Sequence, residues 1–320
     1  MQIVITDGYT LNPGDLSWDA LHQLGEVKYY DRTSPQEMIQ RCKEAHVIVT
    51  NKTPVTAETI KACSHLKLVA VTATGYNIVD VEAAGKAGVP VCNVPIYGTH
   101  SVAQHTFALI LELTNRVGQN SRRVSKGEWS EAKDWCFTSG PLIELLDKTI
   151  GIVGLGRIGE QVARMAEAFG MKVIYHNRSP KKVGWKSRTV GELFKESDFI
   201  SVHCPLTSEN EKFINEQLIA TMKPKAFLIN TSRGQLIDEE ALANALQKGV
   251  IAGAALDVLS KEPPPKGHPL VGLENCLITP HNAWLSFEAR KRMMATTVEN
   301  IQEALKGNPI HVVNQGYLKS

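Results

Sequence analysis

The sequence predicts an α/β protein of two doubly wound parallel-sheet domains, one inserted into the other. Short apolar runs alternate with helix-period segments along almost the whole 320-residue chain, the pattern of parallel strands joined by crossover helices. The glycine-rich turn Gly154-Leu155-Gly156-Arg157-Ile158-Gly159 comes only after five strand–helix units have been completed. A long helix-period segment, 286–306, then follows the last strand and is long enough to return to the first domain. The expected division is an outer domain of residues 1–100 plus 286–320 around a central domain of residues 101–285.

In the outer domain, strands are expected at 2–5, 27–30, 47–49, 68–71 and 89–92, with helices at 15–24, 35–42, 57–62 and 81–87. The segment 101–116 (SVAQHTFALILELTNR) is apolar around most of its circumference and reads as a helix buried between layers. A less regular, Trp-bearing stretch fills 118–146. The run 150–153 then leads into the glycine turn. A helix follows with Ile158, Val162, Met165, Ala166 and Phe169 on one face, and a second apolar run covers 172–175. Later strands are expected at 198–202, 226–230, 251–256 and 276–279, and 261–269 is a proline-rich turn.

Strand, glycine turn, helix and second strand together predict a dinucleotide site at Gly154, Gly156, Arg157, Ile158 and Gly159. The glycines allow a tight turn, close approach of backbone to a pyrophosphate and close helix–strand packing, while the helix N-terminus offers free N–H groups. An acid that binds the ribose hydroxyls usually follows the second strand; here the residue is Asn177.

Composition narrows the rest. Apolar residues at 43% and charged residues at 21% are those of a globular chain with a sizeable core. A net charge of +2 gives no reason to expect nucleic acid or an anionic membrane as partner. The N-terminus MQIVITDGYT has no signal-peptide pattern, and no apolar run approaches the ~20 residues that span a bilayer. The six cysteines are scattered without a CxxC, which matches neither a metal site nor a disulfide framework, so the chain reads as cytoplasmic and reduced.

In an open parallel sheet, ligands bind beyond the carboxyl ends of the strands. Those ends carry Thr231-Ser232-Arg233-Gly234, Asp257, and Pro280-His281-Asn282-Ala283-Trp284, with Glu262 on the loop between the last two strands. A guanidinium holds a carboxylate or carbonyl oxygen through paired donors. A histidine can protonate that oxygen as hydride reaches carbon, and a carboxylate behind it fixes its tautomer and favours its charged form. Taken singly, each has a plainer reading: Arg233 as a surface ion pair, His281 as a satisfied core or surface histidine, Glu262 as solvated, Asp257 as a loop brace. Their convergence at one sheet edge points instead to reduction of a 2-oxo acid.

The motifs GIVGLGRIG (151–159), NTSRGQLIDEEAL (230–242), GAALDV (253–258), KEPPP (261–265) and TPHNAW (279–284) are together highly specific. Through them the chain resembles the D-isomer-specific 2-hydroxyacid dehydrogenase family over essentially its full length. Segments 101–116 and 141–154 look most like the glycerate dehydrogenase, or hydroxypyruvate reductase, branch. The resemblance implies a Rossmann nucleotide-binding domain inserted into a flavodoxin-like substrate domain, closing on each other to exclude water. It implies reduction of hydroxypyruvate or glyoxylate to D-glycerate or glycolate. Arg233 would bind the substrate carboxylate and carbonyl, His281 would act as acid and base, and Glu262 would be its partner.

By the same resemblance, Thr74, Gly75 and Tyr76 receive the substrate carboxylate, and Asn51, Lys52 and Trp284 line the pocket; the plain reading of Gly75 is a turn glycine. Val102, Thr106, Cys204, Pro205, Thr207, Thr231, Ser232 and Asp257 face the cofactor, with Cys204 a packing residue rather than a reactive thiol. The family implies a homodimer through the nucleotide domain. Trp135 either crosses that interface into the partner's pocket or, as is commoner for Trp in an irregular stretch, is simply buried.

Two departures matter. Gln104 stands where many members carry an acid; the glycerate dehydrogenase branch often has Gln here, which supports that branch. Asn177 removes the charge that repels a 2′-phosphate, and Arg178 and Ser179, with Lys181 and Lys182 behind them, supply groups that bind one, so NADP(H) is favoured over NAD(H). The plain alternative has Asn177 bonding the ribose of NAD. No metal is expected. Other 2-oxo acids such as phenylpyruvate remain an alternative, as does, more remotely, a nucleotide-sensing corepressor scaffold. Formate oxidation is disfavoured, because that branch carries Gln where Glu262 stands.

Overall fold

The computed structural model describes residues 1–318. The chain forms two compact units, Met1–Gly98 together with the chain from Leu285 onward, and Thr99–Trp284.

The outer unit runs β1 (Gln2–Ile5), α1 (Asp19–His22), β2 (Glu26–Tyr29), α2 (Pro35–Cys42), β3 (Val47–Thr50), α3 (Ala57–Ala62), β4 (Leu68–Val71), α4 (Val81–Lys86) and β5 (Val91–Cys92). Its strands form one all-parallel sheet in the order β2-β1-β3-β4-β5. Both faces are covered, so β3 and β4 are buried at every position and, apart from Thr50, apolar throughout rather than alternating. Val4, Ile48, Val69 and Val91 enter one core layer, and Ile3, Ile5, Val47 and Val49 the other. The C-terminal helix, Phe287–Leu305, supplies Val298 and Ile301 to the second layer.

Two expected elements are shorter than the sequence pattern suggested. The helix over 15–24 is confined to Asp19–His22. Asn12 Oδ1 accepts the N–H groups of Gly14 and Leu16 and its Nδ2 donates to the Leu16 carbonyl, holding the preceding residues in a turn. Asp15 is meanwhile drawn into a bidentate pair with Arg290, both contacts at 2.6 Å, which lowers the Asp15 pKa. The strand expected from residue 89 begins at Val91, because Pro90 has no N–H to pair and the Val89 carbonyl is taken by Asn314 Nδ2 at 3.0 Å. Asn314, 1% exposed, also accepts the Val91 N–H at 2.9 Å.

The central unit runs α5 (Thr99–Asn115), α6 (Val117–Ser125), β6 (Thr149–Val153), α7 (Arg157–Ala168), β7 (Lys172–His176), β8 (Lys186–Ser187), α8 (Val190–Glu196), β9 (Phe199–Val202), α9 (Glu216–Ile219), β10 (Phe227–Asn230), α10 (Glu239–Gln247), β11 (Gly253–Leu256) and β12 (Cys276–Ile278). Its seven parallel strands are ordered β8-β7-β6-β9-β10-β11-β12. The direction of winding reverses between β6 and β9, which places the ligand crevice of such a sheet at the end of β6, where the glycine turn begins. Helices α5 and α7 cover one face through Phe107, Ile110, Val162 and Ala166; α8 and α10 cover the other through Leu193, Phe194, Leu242 and Leu246.

Three details of this unit depart from expectation. The stretch 118–146 is not irregular throughout, since α6 occupies its start. No residue of α6 is buried, so it carries no apolar stripe to read; the Glu112 carboxylate of α5 instead caps it by accepting the Gly118 and Gln119 N–H groups. The edge strand β8 has only two residues, too few to show a period. Phe169 is exposed at the C-terminus of α7, not on its buried face, though its ring stacks on Phe107 at 5.1 Å.

Candidate active site

The three glycines of the turn meet three different demands. Gly154 adopts φ +95°, and a Cβ there would lie 2.5 Å from the Cys204 backbone nitrogen. A Cβ on Gly159 would lie 2.3 Å from the Gly154 carbonyl oxygen, so the helix packs against the turn at glycine distance. A Cβ on Gly156 would meet nothing within 4 Å. That open face, with no side chain capping the N-terminus of α7 just beyond it, is a cradle that fits a pyrophosphate. Arg157 is exposed and Ile158 half-buried on the first turn of α7.

At the end of β7 the Asn177 carboxamide turns inward. Its Oδ1 accepts the Leu155 N–H at 3.1 Å and its Nδ2 donates to the Ser179 carbonyl at 2.8 Å, so Asn177 ties the glycine turn to the following bend. Arg178 and Ser179 are exposed on that bend, while Lys181 lies 3.8 Å from Glu160. The loop after β9 bears Cys204, Pro205 and Thr207. Burial pushes the Cys204 thiol up to about 11, which suits a packing residue, and burial presses the neighbouring His203 down to about 3.

Beyond β11 and β12 three of the expected residues meet: Asp257, Glu262 and His281. His281 Nδ1 lies 2.6 Å from Glu262 Oε2, and the other Glu262 oxygen accepts the Leu259 N–H at 3.0 Å. A carboxylate only accepts, so Nδ1 carries the imidazole proton and Nε2 is left for exchange. His281 sits at φ +50°, a left-handed conformation costing on the order of 1 kcal/mol. Asp257, 1% exposed, holds this bend in place: its carboxylate accepts the Thr279 hydroxyl at 2.6 Å and the Asn282 and Ala283 N–H groups at 3.0 Å, and its carbonyl accepts the His281 N–H. These bonds are those of a loop brace.

Arg233 is exposed and its Nη1 donates to the Ser232 carbonyl at 2.7 Å. Buried Val102 and Thr106 lie on α5, where the Thr106 hydroxyl bonds the Thr231 hydroxyl at 3.1 Å. Trp284 closes the same bend, half-buried.

In the outer unit, Asn51 and Lys52 follow β3, and Thr74, Gly75 and Tyr76 follow β4. Asn51 is buried and its Nδ2 donates to the Thr72 carbonyl at 2.5 Å; its Oδ1 has no hydrogen-bond partner among the described residues. The Thr74 hydroxyl donates to the Val94 carbonyl, and Thr74 and Tyr76 are exposed.

Several positioning residues escape sequence reasoning. Asp7, at the end of β1, accepts the consecutive N–H groups of Asn51, Lys52 and Thr53 at 2.8, 2.5 and 2.8 Å. Asn230, fully buried, shapes the turn before Arg233 by accepting from Ser232 and donating to the Arg233 carbonyl. The spacing of Asn230 and Ser232 is the signature of an Asx turn and was readable. His105 Nε2 lies 3.0 Å from the Thr279 hydroxyl, a contact across 174 residues that no local pattern reveals.

Against known proteins, residues 107–283 match the family model described as D-isomer specific 2-hydroxyacid dehydrogenase, NAD binding domain. The chain belongs to the D-isomer-specific 2-hydroxyacid dehydrogenase family. Among family members, it is 46% identical to a hydroxypyruvate reductase of Blautia hydrogenotrophica over 98% of this chain and 100% of that one. It is 37% identical to a glycerate dehydrogenase of Methylorubrum extorquens, covering 90% of this chain and 92% of the relative. In three dimensions it superposes with a TM-score of 0.84 on an NADPH-dependent glyoxylate/hydroxypyruvate reductase of Sinorhizobium meliloti, at 29% identity and 99% coverage of both. The two parallel-sheet units are those of this family, and the central one is its NAD(P)-binding domain.

Trp135 is not buried: it is 87% exposed, and Trp129 Nε1 donates to its carbonyl at 3.0 Å. Among the described residues no helix is long and apolar enough to cross a membrane, and no cluster of three metal-ligating side chains occurs.

Proposed function

We propose that the protein is a cytoplasmic NADPH-dependent reductase of hydroxypyruvate and glyoxylate, forming D-glycerate and glycolate. The observation that carries the reading is the 2.6 Å pair of His281 Nδ1 and Glu262, in the same unit as the open glycine turn, on a chain 46% identical to a hydroxypyruvate reductase. A bound reduced nicotinamide supplies the hydride. Glu262 holds the ring by Nδ1–H and favours its imidazolium form, so that once Nε2 has taken up a proton from solvent it delivers that proton to the substrate oxygen and returns to the neutral imidazole. Arg233 binds the carboxylate and steadies the charge developing on that oxygen. The N–H groups of Thr74 and Gly75 take the substrate carboxylate, while Asn51, Lys52, Tyr76 and Trp284 set which 2-oxo acids fit. Val102, Thr106, Thr231, Ser232 and Asp257 line the cofactor side, with Pro205 and Thr207 near the adenosine.

The preference for NADPH rests on Asn177, whose amide is committed to Leu155 and Ser179, and on Arg178 and Ser179 exposed beside it. Steady-state assays on a panel of 2-oxo acids with NADPH and NADH in parallel test both parts. Hydroxypyruvate and glyoxylate should give the highest kcat/KM, and Arg178→Ala should lower kcat/KM for NADPH by about tenfold with little change for NADH. A wild-type enzyme that strongly prefers NADH removes the phosphate reading, and a preference for an aromatic 2-oxo acid removes the substrate reading.

The same reading includes a homodimer through the central unit. Val117, Trp129, Trp135, Leu142 and Leu146, all more than half exposed, are the apolar side chains that such a contact would cover. Sedimentation equilibrium should return twice the chain mass, and Trp135→Asp with Leu146→Asp should shift it toward the monomer. A monomeric wild-type protein overturns this assignment.

A further inference from the structure

The loop carrying Glu262 is mounted on a second acid–histidine pair that proton transfer does not use. Glu239 is the first residue of α10, and its side chain is 11% exposed, unlike an ordinary first-turn acid turned to solvent. Its Oε1 accepts the Ser260 backbone N–H at 2.7 Å, and its Oε2 accepts the Ser260 hydroxyl and lies 3.2 Å from His268 Nε2. His268, 5% exposed in its side chain, accepts the Leu270 N–H on Nδ1 at 3.4 Å. The ring therefore carries its proton on Nε2 and donates it to Glu239. From the other side, Gln235 Nε2 donates to the Ser260 carbonyl at 2.9 Å. A Cβ on Gly234 would lie 2.0 Å from the Leu259 carbonyl carbon, so this backbone is pressed against the turn that bears Arg233.

Ser260 is thus held by its N–H, its carbonyl and its hydroxyl. On one side of it the Leu259 N–H donates to Glu262 Oε1; two residues on the other side stands Glu262 itself, with Oε2 on His281 Nδ1. We infer that Glu239, oriented by His268, is a positioning residue for proton transfer: it anchors Ser260 and thereby fixes the Glu262 carboxylate against His281. The inference rests on the reading of His281 and Glu262 as the proton-transfer pair. Displacement of a reacting group by ~1 Å costs up to about a hundredfold in rate, so an anchor this close has leverage without touching substrate.

A double-mutant cycle in the full-length protein tests it, with Glu239→Gln, Glu262→Gln and the double variant assayed for kcat and KM with hydroxypyruvate and for NADPH affinity. Glu239→Gln should lower kcat by about tenfold or more while KM and the NADPH Kd stay within about twofold. The double variant should be no slower than Glu262→Gln alone, because Glu239 acts through Glu262. The downfield imidazole N–H proton resonance of the hydrogen-bonded His281 should be lost in both single variants, which a merely structural role for Glu239 would not produce. Losses that multiply in the double variant, or a wild-type kcat for Glu239→Gln, overturn the inference and leave the proton-transfer pair standing. A wild-type kcat for Glu262→Gln overturns the pair and the inference together. Should Glu239→Gln fail to fold, Ser260→Ala, which deletes one hydroxyl bond, carries the same cycle with a smaller loss expected.

Discussion

Replacement of His281 by Ala should lower kcat for hydroxypyruvate reduction by about 10²–10⁴-fold, the span associated with losing a general acid. NADPH affinity, read from fluorescence titration, should change little, because on the proposed reading the glycine turn that would hold the phosphates follows β6, on the other side of the sheet's winding reversal. The split between kcat and cofactor affinity is the informative part. A surface or core histidine would change stability, or nothing. The 2.6 Å contact with Glu262 and the φ of +50° mean that His281 is held in one orientation at some cost. Intact turnover in the Ala variant would remove His281 as proton donor and with it the proposed chemistry.

The second large effect separates folding from cofactor binding within one turn. Gly154→Ala places a methyl group 2.5 Å from the Cys204 backbone at a φ that side chains rarely adopt. Neither wall is a flexible side chain, so the variant should lose about 2–4 kcal/mol of stability in denaturant unfolding. Gly156→Ala meets no protein atom within 4 Å and should cost less than about 1 kcal/mol. It should nonetheless weaken NADPH binding by about tenfold or more, since its methyl occupies the face over which the pyrophosphate would pass. Wild-type NADPH affinity in Gly156→Ala would show that the phosphates pass elsewhere. A stable Gly154→Ala would show that the Cys204 loop can give way.

Much of this architecture is legible because burial and strand period coincide. β3, β4 and β9 are buried at all four positions and apolar apart from Thr50 and Ser201, and their sequences say as much. Elements held by polar contacts are less visible. α6 buries none of its residues and depends on the Glu112 carboxylate, so it offers no hydrophobic period to detect. The helix pattern over 15–24 is locally sound, but Asn12 and Arg290 outcompete it, the latter from the far end of the chain. The same division holds at the site. Arg233, Glu262 and His281 announce themselves by residue type at strand ends. Asp7 and Glu239 act through backbone N–H groups distant in sequence, and His105 through the hydroxyl of Thr279, and nothing in their local context distinguishes them from solvated charges. Trp135 shows a third case, in which an aromatic residue in an irregular stretch suggests burial by type alone but lies almost fully open.

The Asn314 side chain has a consequence for how the molecule is made. It supplies the hydrogen-bond partners of the Val89 carbonyl and the Val91 N–H, and Val312 bridges Cys92, so the edge of the outer sheet is closed by residues from the end of the chain. Roughly two hundred residues are synthesised between the two parts, which at ribosomal rates takes about 10–40 s. Throughout that interval the outer sheet exists without the Val312 bridge, the Asn314 side chain or the C-terminal helix, while the whole of Thr99–Trp284 is delivered as one uninterrupted piece. The outer unit is therefore begun before the central one and finished after it, and its open edge at Val91 is the surface a nascent chain must keep from pairing with its neighbours.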